Sequence, residues 1–244
     1  HDLDTTKYGF HFHAADNDAI KHVKINDGKD ILNQLHENEL SFKKINEVAT
    51  LVSGKGYTYA MTGNAAGAVF ELLDADKKVI QTITVGKDST GSIKHLPVGT
   101  FFLREAKPSA TNLVLSKETL KLVSTKDGVQ VFDSKDKQIA ETKADAKKPT
   151  IAFELTNDLI KGTGELTKTD VSTGELLPNT GIRILDEDGK VVVSGRTDKR
   201  GVFSFSNLPA GKYSFQEYDA PKGYDINETL VPSVSYTHLR AHET

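Results

Sequence analysis

The chain repeats itself at an offset of 112 residues. Leu73-Asp74 recurs as Leu185-Asp186, Leu96-Pro97-Val98-Gly99 as Leu208-Pro209-Ala210-Gly211, and the alternating Phe101, Leu103, Glu105 as Tyr213, Phe215, Glu217. A repeat that carries whole strand-and-turn units implies two copies of one domain. In each copy, short β-rich runs are separated by turn signals such as Asp188-Gly189, Asp198-Lys199-Arg200-Gly201 and Pro221-Lys222-Gly223. This predicts an all-β fold of tandem sandwiches rather than βαβ units. One helical window is expected, about Asp27 to Asn38, where Ile31, Leu32 and Leu35 share a helical face. The Lys-, Asp- and Ala-rich stretch Asp133 to Lys148 reads as a solvated hairpin tip.

Three polar residues fall on core-facing positions of this pattern. Side chains alternate along a strand, so Leu40, Phe42 and Lys44 share a face, as do Phe101, Leu103 and Glu105, and Ile151, Phe153, Leu155 and Asn157. With Phe70 and Leu72 these apolar residues form the expected first core; Ile182, Ile184, Phe203, Phe205, Tyr213 and Phe215 form the second. An amine, a carboxyl and an amide aimed into one core make either a tight polar network or a site where the groups react, because an unpaired buried charge is expensive.

Composition narrows the function classes. The 244 residues are 37% hydrophobic and 27% charged, as in a globular protein. No apolar run approaches the about 18 residues of a membrane-spanning helix. A net charge of −3 provides no basic footprint for nucleic acid. Zero cysteines exclude disulfides and thiolate metal sites. The start at His1 suggests a fragment, with any export signal or wall anchor outside it.

In its second copy the chain resembles the B-type repeat of collagen adhesins, the prealbumin-like domain of SpaA-type pilins. The matching motifs are Glu165-Leu-Thr-Lys-Thr-Asp170, Thr173-Gly-Glu-Leu-Leu-Pro178, Gly181-Ile-Arg-Ile-Leu-Asp186, Thr197-Asp198 with Gly201, Leu208-Pro-Ala-Gly-Lys-Tyr213 and Phe215-Gln-Glu-Tyr-Asp-Ala-Pro-Lys-Gly-Tyr224. The first copy keeps Gly67-Ala-Val-Phe-Glu-Leu72, the Leu-Pro-Val-Gly turn, the Glu105 strand and Glu154-Leu-Thr-Asn157. The resemblance implies domains at 39–161 and 162–233, the second lacking its last strand. Residues 1–38 are left as a remnant of a preceding region, and 234–244 resemble a translated adaptor tail foreign to the natural protein.

The resemblance also implies chemistry: an amide formed spontaneously between a first-strand lysine and a last-strand asparagine, assisted by a buried acid. In the first copy these positions are Lys44, Asn157 and Glu105. Burial favours the neutral, nucleophilic amine, and folding makes the attack intramolecular. The segment from Lys44 to Gly67 is 23 residues against 13 from Lys168 to Gly181, so Lys55 in Ser53-Gly54-Lys55-Gly56 restores the spacing better; alternation favours Lys44. The second copy offers Lys168 and Glu217 without a third partner, since Asn227 comes early and reads as a loop residue.

His11 and His13, with Asp16 and Asp18, raise a metal site, but no third ligand stands at firm spacing, and a polar strand edge is the preferred reading. The expected function is a structural stalk module of a cell-wall-anchored Gram-positive adhesin or pilin, extracellular and without cofactor or metal. It is no turnover enzyme. Sortase and peptidoglycan are the partners implied for the whole protein, with no nucleic acid and no membrane segment. The alternatives are an adhesin module that binds a host matrix protein or glycan, and a hydrolase using His11 and His13.

Overall fold

The computed structural model describes residues 36–144 and 151–233 in full, together with the backbone of 4–6, 9–11, 22–24, 30–32 and 234. His1–Glu37 and Asn38–Thr244 are separate compact units. The first contains two antiparallel pairs, β1 (Asp4–Thr6) with β2 (Gly9–His11) and β3 (His22–Lys24) with β4 (Asp30–Leu32). The expected helix over Asp27 to Asn38 is therefore corrected. Val23 pairs with Ile31, and Glu37 and Asn38 already open the next strand. A window this short has no decisive period, and β-branched residues that find a cross-strand partner favour the extended form.

The second unit begins with β5 (Glu37–Val52), β6 (Gly56–Asn64), β7 (Val69–Leu73), β8 (Val79–Thr84), β9 (Thr90–Pro97), β10 (Gly99–Lys107), β11 (Thr119–Thr125), β12 (Gly128–Phe132), β13 (Gln138–Lys143) and β14 (Ile151–Asn157). One sheet has the order β13-β12-β11-β10-β7-β8; the other is β14-β5-β6, with β9 also paired to β5. The last strand, β14, lies parallel to the first, β5. Leu40, Phe42, Phe70, Leu72, Phe101, Leu103, Leu120, Leu122, Val129, Val131 and Phe153 fill the space between the sheets.

Two expectations fail locally. Ile151 is 52% exposed, because the register with β5 shifts between Ile151 and Phe153 and the extra residue, Ala152, packs on the core instead. The hairpin tip is confined to Asp133–Lys137, closed by Asp133 Oδ1 accepting the N–H groups of Lys135 and Lys137 at 2.9 Å. Gln138–Lys143 is an edge strand on β12; residues 145–150 lie outside those described.

Phe42 stacks on Phe153 at 5.5 Å and meets Phe70 edge-on at 4.8 Å. This ring lies directly over Gly91, where a Cβ would come within 2.3 Å of Phe42 Cζ. Gly91→Ala is therefore expected to displace the ring and destabilise the sandwich by about 1–3 kcal/mol in denaturant unfolding.

The repeat is also structural. β15 (Lys161–Thr167), β16 (Gly181–Asp186), β17 (Val191–Arg196), β18 (Val202–Pro209), β19 (Lys212–Asp219) and β20 (Val231–Val234) form sheets of order β17-β16-β19-β20 and β15-β18. Register is preserved: Val69 opposite Thr84 becomes Gly181 opposite Arg196, and Phe70 opposite Glu105 becomes Ile182 opposite Glu217. Ile182, Ile184, Val192, Phe203, Leu208, Tyr213 and Phe215 form the core, with Phe205 partly buried against it.

The long segment between Lys44 and Gly67 is an arm. β5 and β6 run on as a hairpin whose tip reaches the second sandwich, where the Gly54 N–H donates to Val191 O at 3.0 Å and Lys55 bridges to Val193. Leu51 and Tyr57 pack against the second core, and the Tyr59 hydroxyl donates to Asn207 O. At the arm's root the buried Glu47 carboxylate accepts from the Leu159 N–H at 2.9 Å and from Lys161 Nζ at 2.8 Å. Burial pushes its carboxyl up, but these bonds and the Lys161 charge outweigh it and hold it below its ordinary range.

Candidate functional site

Lys44, Glu105 and Asn157 meet inside the first sandwich. β5 turns Lys44 inward after Leu40 and Phe42, β10 turns Glu105 inward after Phe101 and Leu103, and β14 delivers Asn157 at its end. The three are 0%, 5% and 2% exposed. Lys44 Nζ donates to Thr156 O at 2.8 Å, stands 3.4 Å from Glu105 Oε1, and lies 5.7 Å from the centre of the Phe70 ring. Asn157 Nδ2 donates to Glu105 Oε2 at 2.8 Å and to Val114 O at 2.7 Å, and the Ser116 N–H donates to the same Oε2 at 2.8 Å. Glu105 Oε1 and Asn157 Oδ1 accept no hydrogen bond.

Burial holds the Lys44 amine below its usual range, partly offset by the attraction of Glu105 and, less, of Asp158. A buried amine held towards its neutral form, and a carboxyl that is hydrogen-bonded to a carboxamide, are the groups that acyl transfer to an amine requires.

Lys55 is not part of this constellation: it sits exposed at the tip of the arm. The repeat identifies the counterpart of Lys168 independently. The Lys44 N–H donates to Ser89 O and the Lys168 N–H to Gly201 O, both at 2.8 Å, and both acceptor residues hold positive φ, 63° and 68°. Sequence reasoning missed Val114 and Ser116, which act through backbone atoms. It also missed Asn46, a buried neighbour of Asn157 on β5 whose Nδ2 donates to Asn64 O and Ser109 Oγ at 2.8 Å.

In the second sandwich Lys168 Nζ lies 3.1 Å from Glu217 Oε2, with the carboxylate buried and the lysine side chain 24% exposed. The Asn227 N–H reaches Glu217 Oε2 at 3.4 Å, but its own side chain accepts from the Thr229 N–H within the loop. β20 pairs antiparallel with β19, and among the described residues β15 pairs with β18 alone. Among the described residues no group of three His, Cys, Asp or Glu side chains is placed to hold a metal ion. His13, Asp16 and Asp18 lie outside them, and His11 is described only as backbone in β2.

The profile of the SpaA prealbumin-like fold domain matches residues 60–148 and 162–237. The Bacillus anthracis TIE protein is similar at 30% identity with a TM-score of 0.61, over 85% of this chain and 33% of that one, so the chain spans about a third of its length. The C-terminal fragment of the pilus adhesin SpaC from Lactobacillus rhamnosus GG shares the fold at 14% identity and TM-score 0.51, over 84% of this chain and 85% of that one. No curated protein matches. With two copies of one architecture and a family profile that covers both, the chain belongs to the SpaA family of prealbumin-like fold domains.

Proposed function

We propose that this chain is a stalk segment of a Gram-positive cell-surface adhesin or pilus protein, and that its first sandwich closes a Lys44–Asn157 isopeptide bond. The observation that supports this best is the complete burial of Lys44, Glu105 and Asn157 with Glu105 in reach of both partners, at 3.4 Å from the amine and 2.8 Å from the amide nitrogen. A purely structural ion pair would have no need of the carboxamide.

In the reaction, neutral Lys44 Nζ attacks Asn157 Cγ and forms the Nζ–Cγ bond. Glu105 takes a proton from Nζ and returns one to Nδ2; the Cγ–Nδ2 bond breaks and ammonia leaves. Glu105 regains its starting state, so each chain reacts once and nothing turns over. Lys168 and Glu217 hold the equivalent places in the second sandwich, 3.1 Å apart. Intact-mass spectrometry tests the reading. The folded chain is expected to be about 17 Da lighter than its sequence mass, the ammonia lost in acyl transfer to an amine, and Glu105→Ala to keep the full mass. An unshifted mass in the well-folded chain would overturn the proposal.

A further inference from the structure

The segment between β10 and β11 crosses the end of β14 as a strap. Leu113 bridges antiparallel to Leu159, the Val114 N–H donates to Asp158 O at 2.8 Å, and the Ile160 N–H donates to Asn112 O at 2.8 Å. Leu113 is buried, whereas Val114 and Leu115 are exposed. The strap thus turns backbone, not side chains, towards the site: the Ser116 N–H onto Glu105 Oε2 and the Val114 carbonyl onto Asn157 Nδ2.

We propose that this strap is a positioning device for the amide exchange, with the Ser116 N–H clamping the Glu105 carboxyl and the Val114 carbonyl receiving the departing nitrogen; it rests on the isopeptide reading above. Both N–H groups of the Asn157 carboxamide are committed, one to Glu105 and one to Val114, so the amide plane cannot turn. Oε2 already accepts two N–H bonds, which leaves Oε1, the oxygen 3.4 Å from Lys44, to take the proton from Nζ. When Nδ2 gains its proton and the Cγ–Nδ2 bond lengthens, the nitrogen becomes ammonium-like, and the Val114 carbonyl, fixed 2.7 Å away, accepts from it more strongly than from the resting amide. The strap therefore stabilises the transition state more than the ground state. No further reagent is needed, and ammonia is the sole by-product.

The test uses the full chain made by cell-free synthesis, with the ammonia-loss mass shift followed over time at several pH values. Ser116→Pro deletes the N–H and is expected to slow bond formation at least tenfold, while Ser116→Ala, which keeps it, stays within about twofold of wild type. Ser116→Pro should also displace the pH–rate profile, because the lost donor acts on the carboxyl's charge; a merely structural loosening lowers the rate equally at every pH. A second variant, with the amide between Val114 and Leu115 replaced by an ester to weaken the Val114 carbonyl as an acceptor, decides the matter should the proline variant not fold; a several-fold slower reaction is expected. Wild-type rates in a folded proline variant or in the ester variant would overturn the strap's role while leaving the isopeptide reading intact. A wild-type chain that never loses ammonia would overturn both.

Discussion

Lys44→Met is expected to lower the thermal midpoint of the first sandwich by on the order of 15 °C. The proposed Lys44–Asn157 bond would close a loop of about 110 residues, which by the chain-entropy account of cross-links stabilises a domain by about 4–5 kcal/mol, and a kilocalorie moves a domain of this size by several degrees. Methionine keeps most of the lysine's volume, so the loss combines the missing bond with the Glu105 carboxyl left without its ion-pair partner and adds no large cavity. Glu105 keeps the Ser116 and Asn157 donors in that variant. Lys44→Ala should be worse, because it adds a cavity. Differential scanning calorimetry of the wild type and both variants measures the order; equal midpoints for Lys44→Met and wild type would show that no cross-link contributes.

The second large effect concerns the arm. Replacing Leu51–Tyr57 by a short turn between Thr50 and Thr58 removes the two side chains that pack on the second core, together with the Gly54–Val191 hydrogen bond. Partial burial of a leucine and a tyrosine is worth about 2–4 kcal/mol. Amide exchange in β16–β19 should therefore accelerate on the order of 100-fold, while β7–β10 keeps its wild-type protection. Unchanged exchange in β16–β19 would show that the second sandwich stands without the arm.

Much of this fold is legible in the sequence, for identifiable reasons. The 112-residue repeat predicts β7–β10 and β16–β19 because turn residues and inward aromatics recur at the same offsets. The inward aim of Lys44, Glu105 and Asn157 follows from period-two alternation, which holds wherever a strand is regular. It failed at Ile151, where a bulge consumes one residue and reverses the alternation, a displacement that leaves no mark in the side chains themselves. The Asp27–Asn38 window misread because a few apolar residues fit helical and extended periods alike. The arm appeared only as ten surplus residues, since its partners Val191 and Val193 lie far along the chain. The strap was invisible because every residue but proline carries the same N–H and every residue the same C=O; only the fold decides which of them face a reactive group.

The parallel pairing of β14 with β5 decides how the sandwich meets a mechanical load. The chain enters at the N-terminal end of β5 and leaves at the C-terminal end of β14, at opposite ends of the same two adjacent strands. Tension along the chain therefore slides the two strands past each other, and the ladder from Ser41–Ile151 to Asn46–Asn157 must fail all at once. In an antiparallel hairpin with both ends together, the same tension would open the bonds one after another, like a zip. The parallel β5–β14 pair thus resists extension by geometry alone.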